Sequence, residues 1–222
     1  MDDRYAFSRE EELAFFDKNL AQLVHTTGKF EHLSTTLPDT EAIINNVPTE
    51  GIDPETIAIT LGLKRAFSYI RQRNKLTFND LLTINNLIQN GAVGAGQIRQ
   101  QSVMVPLTTE TWVPPIPNGT EERQKISQLI ARPLSATERA IDLNLYLSRW
   151  QLFSDGNKRT ALVAANQLLV AAGAGFLAIP TTKMHWYGSK LQKFDLTGRD
   201  ADVKAFLYEN AIQGLPQNRV VE

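Results

Sequence analysis

The stretch TALVAANQLLVAAG, residues 160–173, constrains the fold more than any other part of the chain. Most of its residues favour a helix, and its apolar positions fall on nearly every face of a 3.6-residue turn. It is too short for the roughly 20 apolar residues that span a bilayer. A helix of this kind is the buried centre of a bundle, with other helices packed around it. Gly173 closes it. The preceding segment, QLFSDGNKR at 151–159, is therefore the loop at the N-terminal end of a rigid central helix.

The surrounding helices are legible from their start and stop signals. Ser8 and Glu11 form a capping box for a helix expected over 8–32, with Leu13, Phe16, Leu20 and Leu23 as its apolar stripe. A loop with Thr35, Thr36 and Pro38 leads to a short helix near 39–45. Asp53-Pro54-Glu55 opens a helix expected to run to about Arg71. Thr77 opens another that stops near Asn90-Gly91. Residues 92–118 are rich in glycine, β-branched residues and proline. There Ser102–Leu107 and Thr109–Val113 fit either a short hairpin ended by Pro114-Pro115 or an irregular connection. Helices follow over 119–132, 135–152 and 157–173, and one or two more over 183–212. The expected architecture is mostly α, a helical bundle around a buried central helix with one small β-hairpin. Residues 1–50 form an N-terminal helical region and 51–222 the core domain.

The charge balance, 23 basic against 24 acidic residues, gives no global field that would draw the protein onto nucleic acid or a membrane. The absence of cysteine excludes disulfides, thiolate metal sites and a cysteine nucleophile. The acidic start MDDRYAFSREEELAFF has no signal-peptide pattern. A cytoplasmic protein is expected.

A helix N-terminus carries unpaired N–H groups and partial positive charge. In the loop before the central helix, Gly156 permits close backbone approach, and Lys158 and Arg159 add full charges. Together these suit an anion such as phosphate. Asp155 offers a hard oxygen to a Mg2+ ion carried by a polyphosphate, and Asn157 either bonds a phosphate or fixes the loop. The same residues also fit a plain capped turn, since DGN is a common turn sequence.

The loop resembles the signature of the Fic/Doc (Fido) family, H-x-F-x-D/E-G-N-G/K-R, with Phe153, Asp155, Gly156, Asn157, Lys158 and Arg159 at matching positions. GAGQIRQQSVMV at 94–105 is similar to the family's G-x-x-R-x-x-x-V segment before its flap hairpin. LSATERAIDLNLYLSRW at 134–150 and LTFNDLLTINNLIQNG at 76–91 resemble its neighbouring helices. The resemblance implies a Fido fold and transfer of part of a nucleotide, in most members AMP from ATP, to a hydroxyl of a target protein. It implies that Phe153 anchors the loop, Asp155 holds Mg2+, Gly156 and Asn157 form the anion hole and Arg159 grips phosphate. The flap, roughly 103–113 with Val103, Val105 and Trp112, would clamp the target as an added strand. Lys158 is similar to the Doc type, which transfers a phosphate, so the transferred group stays open. A small antitoxin-like or regulatory protein is a further partner that the resemblance suggests.

TTGKFEH at 26–32 resembles the family's inhibitory motif, S/T-x-x-x-E-G/N, with Thr27 and Glu31 in place and His32 departing from it. In the family this glutamate pairs with a second arginine three residues after the first. That position is Leu162, so Glu31 is expected to lack the partner, or to be an ordinary surface glutamate.

The motif's first residue, a histidine that takes the target's proton, corresponds to Gln151. An amide does not titrate near neutrality and cannot act as a general base. Glu31 is the leading substitute, ahead of His25, His32 and His185. Three readings follow: a weak or altered transferase, a non-catalytic regulator that keeps the nucleotide site, and a helical interaction module with a capped loop. Trp186-Tyr187 either stacks on an adenine or packs the C-terminal helix, and Trp112 is expected as a partner contact.

Overall fold

The computed structural model describes residues 1–108 and 110–215. In chain order the helices are α1 (Arg9–Lys18), α2 (Leu20–Gly28), α3 (Leu37–Ile44), α4 (Pro54–Arg71), α5 (Phe78–Ile88), α6 (Gly119–Ile130), α7 (Ala136–Trp150), α8 (Asn157–Ala172), α9 (Met184–Thr197) and α10 (Ala201–Asn210). Two antiparallel pairs complete it: β1 (Val105–Pro106) with β2 (Thr111–Trp112), and β3 (Phe176–Leu177) with β4 (Ile212–Gln213).

The central helix is α8. Ala161, Val163, Ala164, Ala165 and Leu169 are fully buried, and α7, α5, α4, α1 and α2 pack around it. Leu162, where a second arginine was sought, is one of these core residues at 1% exposure. A buried amide is costly unless bonded. Asn166 meets this by donating to Leu162 O and Leu177 O and accepting from Leu177 N, so its side chain acts as a neighbour for β3.

The capping signals act as read. Ser8 caps α1 with Glu11, Asp53 accepts from Thr56 N at 2.8 Å, and Thr77 caps α5 with Asp80. Two expectations are corrected. The helix expected over 8–32 breaks at Asn19, whose Nδ2 donates to Phe15 O and draws the chain out of helical geometry. Beyond α2, residues Lys29–Glu31 tighten into a 3-10 turn that His32 ends in left-handed geometry, at φ 55°. The short helix near 39–45 starts earlier, because Thr36 forms a capping box with Asp39. The β3–β4 pair was not anticipated; two-residue strands carry no readable alternation. The first hairpin forms with Val105 opposite Trp112, although Thr109, expected in its second strand, lies outside the described residues.

No helix among the described residues is long and apolar enough to cross a membrane.

Candidate functional site

The loop before α8 is built from the inside outward. Phe153 is buried at 2% exposure and anchors it. Asn157 then ties it in a ring: Oδ1 accepts from Phe153 N at 2.9 Å and Nδ2 donates to Phe153 O at 2.8 Å. Of the two roles read for Asn157, its side chain takes the structural one, leaving only its backbone for an anion. Gly156 sits at φ 74°, and a Cβ there would run into Gln89 Nε2. The Gln89 side chain could turn aside, so it is the left-handed dihedral that favours glycine here.

Two residues outside the loop hold it, and neither was singled out from the sequence. Asn85 on α5 donates to Asp155 O at 2.9 Å and Thr160 Oγ1 at 3.1 Å, and accepts from Gly96 N at 2.9 Å. Arg99, 3% exposed, donates to the carbonyls of Gln151, Gln101, Pro114 and Pro115. One guanidinium therefore joins both ends of the hairpin to the start of the loop. Its position in the quoted G-x-x-R-x-x-x-V segment was the only signal available. Burial lowers its pKa.

Gln151 caps α7 in left-handed geometry, φ 49° and ψ 64°, and its Nε2 donates to Ser148 O. It lines a cavity of about 250 Å3 together with Glu31, Asp155, Gly156, Asn157, Lys158 and the hairpin residues Val103 to Pro106. The N-terminal end of α8 opens into this space. Val103 and Val105, expected on the target-binding flap, are half-buried and line the cavity, whereas Met104 is 75% exposed. Trp112 differs from its expected role as a free contact. It is half-buried, its Nε1 donates to Arg149 O at 2.9 Å, and the Arg149 guanidinium covers its ring at 4.5 Å.

Arg159 is 3% exposed. Its Nε lies 2.7 Å from Glu31 Oε1, off the hydrogen-bond direction, so the contact is an ion pair. Its Nη2 lies 3.3 Å from Asp155 Oδ2. Glu31 lacks the second arginine, as expected with Leu162 there, but it is not an unpaired surface glutamate: the 3-10 turn after α2 carries it over the end of α8 to the first arginine. Burial raises the Glu31 carboxyl above its usual range, and Arg159 opposes the shift. Thr27 is fully buried and its hydroxyl donates to Leu23 O within α2.

Asp155 is exposed; its Oδ1 accepts from Gly156 N at 2.6 Å. No cluster of three His, Cys, Asp or Glu side chains occurs among the described residues. A single carboxylate fits Mg2+ that arrives with phosphates, because that ion keeps most of its shell as water and phosphate oxygen.

Of the three histidines, His25 contacts Thr40 Oγ1 at 3.2 Å and His185 packs edge-on against Trp186. Neither lines the cavity. His32 lines a second cavity of about 210 Å3, which shares Phe30, Val105, Pro106 and Lys158 with the first. Tyr187 in its wall is 1% exposed and accepts from Asn144 Nδ2, while Trp186 is 62% exposed. Gln192 Oε1 accepts from Thr108 N and Oγ1 and latches the hairpin to α9.

The fold and site thus define a helical bundle with an anion-ready helix end beneath a small hairpin. Residues 75–169 match the sequence model of the Fic/DOC family. Solved structures share the fold. A Fic domain containing signaling protein from Bacteroides thetaiotaomicron aligns with TM-score 0.74 and 17% identity, over 91% of this chain and 85% of that one. Fic-1 from C. elegans aligns with TM-score 0.72 and 19% identity, over 87% of this chain. A Fic family protein from Desulfovibrio desulfuricans gives TM-score 0.72 and 16% identity, also over 87%. The chain spans 60% of the C. elegans structure and 62% of the Desulfovibrio one. A search of curated proteins gives no match.

Proposed function

We propose that this protein binds a nucleoside triphosphate at the end of α8 and carries Fic-type transfer machinery, attenuated at Gln151. The observation that carries the reading is the cavity itself. It joins a helix N-terminus, Lys158, a magnesium-compatible carboxylate at Asp155 and, just behind the carboxylate, Arg159. A capped turn has no need of that set.

In the transfer that the family resemblance implies, a target hydroxyl oxygen bonds to a phosphorus of the nucleotide. The P–O bond to the leaving phosphate group breaks, and the hydroxyl proton must be taken up. A bound Mg2+ would neutralise phosphate charge. The first-turn N–H groups of α8 would hold phosphate oxygens, and Lys158 would balance their charge. Gln151 stands where the proton would be received but cannot accept it. Loss of a general base typically costs about 10²–10⁴ in rate. Glu31 is held by Arg159 and further limits the site. A protein target would dock on the hairpin, with Met104 outward.

The test is labelling of proteins in a lysate with Mg2+ and α- or γ-labelled ATP and GTP. The α label reports nucleotidyl transfer and the γ label phosphoryl transfer. The expected result is faint or no labelling by the parent and labelling at least ~100-fold stronger by Gln151→His combined with Glu31→Gly. If neither protein labels a target or binds a nucleotide, the reading fails.

A further inference from the structure

The second cavity holds a group that the phosphate chemistry leaves unused. Asp195 on α9 is 2% exposed and lines this cavity, and its Oδ1 has no hydrogen-bond partner among the described residues. A buried carboxylate oxygen without a partner is costly, so its presence calls for an explanation. Its neighbour Arg149 is engaged elsewhere. The Arg149 guanidinium donates to the Asp195 backbone carbonyl, at 3.3 and 3.1 Å, and lies over the rings of Trp112, Trp150 and Phe194. Burial pushes the carboxyl up to about 7, while Lys158 and Arg149 favour its charged form.

We infer that Asp195 selects the base of the bound nucleotide, and that the base is guanine, whose N1–H and N2–H groups meet the carboxylate side by side. The inference rests on the nucleotide reading above. A carboxylate only accepts hydrogen bonds. Guanine presents two adjacent donors, and a bidentate pair with them is charge-assisted. Adenine and cytosine place an acceptor nitrogen beside their single amino group, and uracil flanks its N–H with two carbonyls. Either arrangement sets a lone pair against the carboxylate. Phe30, Val105, Met184 and Leu191 supply apolar walls for the ring faces. Lys158 stands at the junction of the two cavities, where a base in the second would lead its phosphates into the first.

The experiment is calorimetric titration of the full chain carrying Glu31→Gly, with and without Asp195→Asn, at pH 8. The titrants are the magnesium complexes of GTP, ATP, CTP, UTP and tripolyphosphate. The expected result is GTP bound at least tenfold more tightly than the other nucleotides, and loss of that preference in Asp195→Asn with tripolyphosphate affinity unchanged. A thermal melt of Asp195→Asn at or above the parent's confirms that the fold is kept, since the change removes a buried charge. Equal affinity for the four nucleotides, or a GTP preference that survives Asp195→Asn, overturns this inference and leaves the phosphate site standing. Failure of every titrant, tripolyphosphate included, overturns both.

Discussion

Arg159 Nε stands 2.7 Å from Glu31 Oε1, in a pair that crosses from the turn after α2 to the first turn of α8. The arginine is almost fully buried and the glutamate side chain is 31% exposed, so Glu31 lines the cavity with Arg159 behind it, and water still reaches the acidic half of the pair. An anion that takes Arg159 must displace Glu31.

Glu31→Gly is therefore expected to raise the affinity for magnesium tripolyphosphate at least tenfold, read by calorimetry. The same change leaves Arg159 short of one partner and lowers unfolding stability by about 1–2 kcal/mol, less than for a fully buried pair because Glu31 is partly solvated. Unchanged affinity would show that Glu31 does not guard the phosphate position.

Asn157→Ala removes both side-chain bonds to the Phe153 backbone. That leaves a buried N–H and a buried carbonyl without partners, at about 1–3 kcal/mol each. A loss of about 2–4 kcal/mol in urea unfolding is expected, with tripolyphosphate binding weakened through the loop. A loss below about 0.5 kcal/mol would mean that the ring is not what shapes it.

Arg99→Lys keeps the charge but cannot reach four carbonyls with one ammonium group. Amide hydrogen exchange over 101–115 is expected to rise at least tenfold, with exchange in α8 unchanged. A hairpin protected as in the parent would show that the Trp112–Arg149 contacts suffice to hold it.

Glu12 sets a pH dependence. It is fully buried, its Oε2 accepts from Gly175 N at 3.0 Å, and burial raises its pKa from about 4.5 to about 7. The folded chain thus holds a proton that the unfolded chain releases. The Glu12 contribution is fully present below about pH 4.5 and is lost as pH rises through about 7. Glu12→Gln, which keeps an acceptor for Gly175, is expected to gain on the parent between pH 5 and 8 by at most a few kcal/mol. The check is urea unfolding at each pH, and a constant difference between the two proteins would contradict the assignment.

How much of this was legible depended on how local each signal was. Caps at Ser8, Asp53 and Thr77 are contracts between residues three apart, and they hold in the fold. Asn19 and Thr36 carried equally local signals that the helical periodicity around them concealed. Asn85 and Arg99 act mostly on backbone atoms of other segments; only the G-x-x-R-x-x-x-V resemblance marked Arg99, and nothing local marked Asn85. Asp195 reads as one more polar residue on a helix until its surroundings are known.

The central helix could be read from local sequence alone, because a segment apolar on nearly every face belongs at the middle of a bundle, and with it comes the position of the loop at its N-terminal end. The tertiary structure decided what that loop's charges do. Leu162 in the core leaves Glu31 no second arginine, and the packing of α2 beside α4 and α8 brings it to Arg159 instead. Which charges meet depends on distances between separate elements, and those are fixed only when the side chains of the core interlock.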